Sequence, residues 1–269
     1  MIRPFTRRVA STAMALGIVA LTATALPAVA QPASATAKPT IVLVHGAFAE
    51  SASWDGVTRK LQAQHYPVIA AANPLRGVTF DANYVAGIVD AVKGPVVLVG
   101  HSYGGAVISA SANGKANVKA LVFVAAFAPD VGETPIELSG RFPGSTLGPT
   151  LAAPVELADG GKDLYIRQDK FRTQFAADVP AATARVMAAT QRPIAEAALG
   201  EAAGTPAWKS VPSWFIYGDQ DKNIPPAAQA FMAQRAGSLK TVAIKGASHV
   251  VMVSQPDAVA KLIVEAATH

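Results

Sequence analysis

A serine, an imidazole and a carboxylate are the groups in this chain whose types and placing could do chemistry together. Ser102 lies in Gly100-His101-Ser102-Tyr103-Gly104-Gly105, after the apolar run 96–99 and before the helix-like stretch that starts at Ala106. Gly-x-Ser-x-Gly between a strand and a helix is a sharp turn with the serine at its apex. A turn that tight sets backbone against backbone and strains the apex residue, so the positions two before and two after must lack bulk. The hydroxyl is lifted off the sheet edge, and the helix N-terminus offers N–H groups and positive dipole to a developing oxyanion.

Such a hydroxyl is a poor nucleophile until a base takes its proton, and that base needs an orienting acid. Of the five histidines, His269 is terminal, His65 lies at a helix-to-strand turn, and His101 is locked beside the serine. His45 follows the first strand-like run. His249 follows the last, in the small-residue loop Gly246-Ala247-Ser248-His249 before the final helix. An imidazole there can swing over the turn, so His249 is the expected base. In the order Ser…Asp…His the acid falls in Gly218-Asp219-Gln220-Asp221. Asp221 clears the strand end and is preferred to Asp219; Asp130 is third. Two N–H donors are needed for an oxyanion. Tyr103 supplies one, and the loop His45-Gly46-Ala47-Phe48 supplies the other, with Ala47 preferred to Phe48.

These groups must be held by alternating strands and helices. Strand-like runs lie at 40–44, 66–71, 95–99, 118–125, 213–217 and 241–244, and helical spacing marks 54–64, 84–92 and 257–267. The continuous apolar runs are those of strands buried on both faces, and the alternation implies right-handed βαβ units with a parallel sheet. Between about 128 and 210 the pattern breaks. Residues 142–154 read as a loop, 159–162 as a turn, and 169–175, 181–190 and 193–203 as short helices. An insertion of that length is no plain loop. The expectation is a helical cap over the strand ends.

Residues 1–30 carry three arginines, an apolar Ala-rich run and an A-x-A ending, the pattern of a cleaved export leader; 31–38 reads as a flexible lead-in and 39–269 as one domain. The expected location is secreted or periplasmic, with no stable membrane anchor after cleavage. The leader carries three of the 23 Lys and Arg and none of the 18 Asp and Glu. Without it the balance is 20 against 18, and no basic block marks a nucleic-acid partner. With no cysteine in the chain, disulfides, thiol catalysis and Cys-bound metals are excluded.

Taken together, VLVHGAF (42–48), GHSYGG (100–105), AAFAPD (125–130), YGDQDKNIP (217–225) and IKGASHVVMVSQPD (244–257) resemble the α/β-hydrolase superfamily, and within it the branch of plant methylesterases and hydroxynitrile lyases. The resemblance spans the mature chain and is weakest in the cap. It implies an α/β fold with a mostly parallel central sheet, helices on both faces and a helical cap insertion. It also implies a Ser102, Asp221 and His249 triad with oxyanion donors at Ala47 and Tyr103. Lyase members carry Thr and Lys where this chain has Gly46 and Val250, which points away from lyase chemistry. Epoxide hydrolases and dehalogenases of this fold place an aspartate at the elbow, where this chain has Ser102.

The function expected is hydrolysis of small to medium uncharged carboxylic esters or lactones through an acyl-enzyme, with no metal or organic cofactor. Phe48, Trp54, Tyr103, Phe127, Phe142 and Trp208 are the candidates for an apolar substrate pocket. A cofactor-free haloperoxidase or perhydrolase would use the same triad. A non-catalytic binding protein on this fold would show a degenerate triad, which this chain does not have.

Overall fold

The computed structural model describes residues 38–269. The expected leader and nearly all of the lead-in lie outside the described residues. The first apolar runs form β1 (Thr40–Val44), β2 (Val68–Ala71), β3 (Val96–His101) and β4 (Val118–Val124), with α1 (Asp55–Ala63), α2 (Val78–Ala91) and α3 (Gly104–Ser111) between them. The insertion then carries α4 (Pro135–Gly140), β5 (Val155–Glu156), β6 (Lys162–Leu164), α5 (Gln168–Phe175), α6 (Ala181–Thr190), β7 (Ile194–Ala195) and α7 (Glu196–Gly200). The chain returns through β8 (Ser213–Gly218), α8 (Pro226–Arg235), β9 (Lys240–Ile244), α9 (Val251–Ser254) and α10 (Pro256–Ala267).

Six strands form the main sheet in the order β2-β1-β3-β4-β8-β9, and every neighbouring pair is parallel. β3, which leads into Ser102, is therefore an inner strand. All six of its residues are buried, and Val96–Val99 have no exposed surface. Burying each such side chain stabilises the fold by about 1.5–3 kcal/mol. Phe123 of β4 and Phe215 of β8 stack beside it with centroids 4.4 Å apart. The edge strand β2 begins at Val68 rather than at Tyr66, and its Ile69 faces solvent.

Two expectations change. The cap is not wholly helical: β5, β6 and β7 form a three-stranded antiparallel sheet. The stretch at 193–203 enters as a strand because Asp163 and Leu164 pair with Ala195 and Ile194, and because the Ala195 N–H donates to the Leu75 carbonyl at 2.9 Å. A two-residue strand has no period to read; the contact decides it. α2 starts at Val78, six residues before the expected helix. Its first turns carry the exposed Phe80 and the buried Asp81, which invert the apolar pattern there.

Candidate active site

Ser102 stands between β3 and α3 with φ +54, a left-handed conformation that costs a residue with a side chain about 1–3 kcal/mol. The glycines around it are fixed by contact. A Cβ on Gly100 would lie 2.5 Å from the Gly104 carbonyl oxygen, and one on Gly104 would lie 2.5 Å from that of Val44. After β1 the loop comes equally close. A Cβ on Gly46 would lie 2.6 Å from the Ser102 Cβ, 2.7 Å from the His101 carbonyl oxygen and 3.0 Å from the Tyr103 nitrogen.

The loops after β8 and β9 meet through the same device. A Cβ on Gly218 would lie 2.2 Å from the Ala247 carbonyl oxygen. This approach sets His249 Nδ1 2.7 Å from Asp221 Oδ2, both side chains being essentially buried. Asp221 Oδ1 accepts the N–H groups of Asn223 and Ile224 at 2.8 and 3.0 Å, and Oδ2 also accepts from Gln229 Nε2 at 2.8 Å. The carboxylate can thus turn only one face to the imidazole, which holds the proton on Nδ1 and leaves Nε2 free. Asp219 is turned away to accept the Gly246 N–H at 2.7 Å, and Asp130 pairs with Lys209 at 2.5 Å. His249 and Ser102 line one cavity, with no hydrogen bond closed between them among the described residues.

The two amides beside Ser102 differ from their neighbours. Those of Ala47 and Tyr103 enter no backbone hydrogen bond, whereas the Phe48 N–H donates to the Arg192 carbonyl at 2.9 Å. Phe48 is thereby removed as an alternative donor. The Tyr103 ring runs inward, and its hydroxyl donates to Asp81 Oδ2 at 2.8 Å. Asp81 also accepts the Arg76 N–H on both oxygens, at 3.1 and 3.2 Å. Burial raises the Asp81 carboxyl above its ordinary pKa, against the pull of these donors.

Two more histidines sit below. His45 is fully buried; desolvation lowers its pKa from 6.5 to about 4 and so keeps it neutral. Its Nδ1–H donates to the Gly46 carbonyl at 3.0 Å, and its own carbonyl accepts from Asn73. His101 is pushed well below 6.5 by burial and then by nearby His249. It donates through Nε2 to the His249 carbonyl at 3.3 Å, with ring centroids 4.8 Å apart. The sequence placed His101 beside the serine without a task; it ties the histidine loop to the elbow strand.

The model of the alpha/beta hydrolase family matches residues 41–262. The chain belongs to that family. It is 25% identical over 252 residues to the alpha/beta hydrolase nvfD of Aspergillus novofumigatus (strain IBT 16806), covering 86% of this chain and 97% of that one. Among solved structures it is similar to polyneuridine aldehyde esterase, with a TM-score of 0.74, 21% identity and coverage of 85% of this chain and 98% of that one. It is also similar to a pyrethroid hydrolase from Sphingobium faniae JZ-2, with a TM-score of 0.66, 21% identity and coverage of 86% and 97%. Both structural likenesses are likenesses of fold.

In this α/β-hydrolase the cap closes a cavity of about 600 Å³ over Ser102. Phe48, Tyr103 and Phe127 line it, but the other aromatic candidates do not. Trp54 has no exposed surface and packs edge-on against His101, behind the elbow. Phe142 packs on Phe231, with centroids 5.6 Å apart. Trp208 donates its indole N–H to the Pro129 carbonyl and lies under Arg235. The wall is instead aliphatic, from Leu147, Leu151, Leu164, Leu199 and Ile224, with Phe175 beside His249. These residues carried no sign in the sequence, since a leucine in a short irregular segment serves core and pocket equally. Gln229, which secures Asp221, lies on α8, a helix that carries no motif in the sequence.

Proposed function

We propose that this chain is a serine esterase acting on uncharged carboxylic esters. His249 takes the Ser102 proton through Nε2 as Oγ attacks the ester carbonyl. The Ala47 and Tyr103 N–H groups receive the oxyanion. The tetrahedral species collapses, and the alkoxide leaves with the proton from His249. Water, deprotonated by the same imidazole, then attacks the acyl-enzyme and frees the acid and Ser102. Asp221 keeps the imidazole in the tautomer this requires and stabilises the imidazolium. The observation that carries the reading is the buried Asp221–His249 pair facing the cavity that holds the left-handed Ser102.

The aliphatic wall supports an uncharged ester, of a size that about 600 Å³ admits. The position beside His249 supports hydrolysis over cyanohydrin cleavage. Val250 is fully buried and carries no charge, and Gly46 has no room for a side chain. Export of the mature protein is part of the same proposal, and an N-terminus at Met1 in the secreted fraction would refute it.

The decisive experiment is labelling with a serine-directed phosphonate and mapping of the adduct by mass spectrometry. The adduct is expected on Ser102, and Ser102→Ala is expected to lose both the label and hydrolysis of 4-nitrophenyl esters. Labelling elsewhere, or unchanged hydrolysis in the variant, would overturn the mechanism.

A further inference from the structure

A second cavity of about 430 Å³ lies outside the site described above, between α1, α6 and the start of α10. Phe48 alone among the described residues lines both cavities. The lining of the two differs. The first is mainly aliphatic, whereas the second joins an apolar lining of Met187, Val253 and Pro256 to the polar side chains of Arg59, Thr183 and Thr190.

Phe48 is also held in an unusual way. Its φ is +59, which is rare for an aromatic residue and marks a conformation the surroundings impose. The backbone is fastened to the cap by its N–H bond to Arg192, and the ring stands edge-on to Phe175 at 6.1 Å. Phe175 in turn touches His249, so the ring sits at the boundary of the first cavity nearest the reacting groups. The backbone is pinned, and what can change is the ring's rotamer.

We propose that Phe48 is a partition between two compartments of one binding cleft. The second compartment takes the hydrogen-bonding arm of a two-armed ester, while the aliphatic compartment holds the other arm over Ser102. This rests on the serine-esterase reading. The arm that crosses is an alkyl chain ending in a hydroxyl, ether or amide group, because Met187, Val253 and Pro256 cover an apolar stem while the threonines and charged residues there keep the polar end hydrogen-bonded. The same chemistry could come from the acyl or from the alcohol half of the ester, and the test separates them.

Three probes serve: 4-nitrophenyl acetate, 4-nitrophenyl 10-hydroxydecanoate and 10-hydroxydecyl acetate. The readout is kcat/KM for each long ester divided by that for 4-nitrophenyl acetate, in the full chain. Phe48→Gly removes the partition at a backbone conformation glycine adopts readily. It is expected to raise the ratio about tenfold for one of the two long esters, and which one rises assigns the arm. Thr183→Trp, at an exposed position on α6, fills the second compartment from the cap side. It is expected to lower the same ratio in the native background and to cancel the gain in Phe48→Gly. A gain that survives Thr183→Trp, or ratios that Thr183→Trp leaves unmoved for both long esters, overturns the proposal. Should Phe48→Gly fail to fold, the single Thr183→Trp comparison decides. Absence of phosphonate labelling at Ser102 in the native chain would be a separate failure, that of the esterase reading itself.

Discussion

On the floor of the site, Ser102, Asp221 and His249 stand where inner parallel strands end and glycines let backbones touch. Above them the cap's strands are two or three residues long, and it meets the floor through a handful of polar contacts. Gln174 of α5 donates to the Lys222 carbonyl and to Asn223 Oδ1, beside Asp221. Ser248 donates to Asp178, and Arg76 pairs with Asp163 of β6 at 2.7 Å. The floor is positioned by backbone geometry that has one solution. The cap is positioned by side chains that could be exchanged and by isolated backbone bonds, such as Phe48 to Arg192 and Ala195 to Leu75. Floor substitutions should therefore change the chemical step, and cap substitutions should change binding.

The sharpest break of that contrast is at the acid. Asp221→Asn keeps the shape, but with its oxygen held by the Asn223 and Ile224 N–H groups it turns an NH2 to His249 and Gln229, which reverses the tautomer preference of His249 and gives up the Gln229 hydrogen bond. A loss on the order of 10⁴ in kcat with little change in KM is expected from steady-state kinetics. An equal loss in Asp219→Asn would mean that the wrong carboxylate had been placed under the imidazole.

The two regions also titrate in different windows. His45 has a folded pKa of about 4 against 6.5 when unfolded. The unfolded chain binds the extra proton, so this stability is present at neutral pH and is lost as pH falls from 6.5 towards 4. The difference corresponds to roughly 3 kcal/mol, and His101 acts in the same direction. At the root of the cap, hydrogen bonds from Arg235 hold Glu133 down at about 2, below its ordinary 4.5. A depressed carboxylate contributes above its unfolded pKa and fails only as pH falls from 4.5 towards 2. Melting temperature should therefore begin to drop below pH 6.5, before Glu133 is protonated. His45→Gln should make that first segment shallower, with the share of His101 remaining, and leave the more acidic one in place.

The legible part of the molecule was the floor. Gly100, Ser102 and Gly104 announce themselves because the turn admits no other small set of residues, and the buried strands read as unbroken apolar runs. Gly46 and Gly218 were visible as residues, but their reason, a Cβ that would strike Ser102 or the Ala247 carbonyl, exists only in three dimensions. The cap was read poorly because its segments take their form from contacts. β7 is a strand only because β6 and Leu75 lie beside it. Trp54, Phe142 and Trp208 were pocket candidates by type; Trp54 and Trp208 are buried against other partners, and Phe142 packs on the half-buried Phe231. Asp81 broke the helical pattern for a reason that a local window holds only in part: it accepts the nearby Arg76 N–H and, from far along the chain, the hydroxyl of Tyr103.

A smaller test of the floor is Gly46→Ala. One methyl group would sit 2.6 Å from the Ser102 Cβ and 2.7 Å from a backbone oxygen, neither of which can swing away. Overpacking of this kind costs about 1–3 kcal/mol. The loop carrying the Ala47 amide must shift to relieve it. Thermal melting should show the stability loss, and kcat should fall with it. A variant with native kcat would show that the Ala47 amide does not need its present place.

The smallest effect is expected in the cap, and it has the opposite signature. Leu199 follows β7 on α7, partly exposed, with its side chain on the cavity wall. Leu199→Ala removes aliphatic surface that an apolar ester covers on binding, and each buried methylene is worth about 0.8 kcal/mol. Because the side chain is partly exposed already, the loss is a fraction of its full transfer value, and KM for an apolar ester should rise about threefold to tenfold. It belongs to the cap and not to the elbow or the histidine loop, so kcat should hold. The enlarged wall should also favour longer esters over 4-nitrophenyl acetate. A fall in kcat without a rise in KM would place the cap among the groups that position the reaction, and the division between a floor that reacts and a cap that selects would fail.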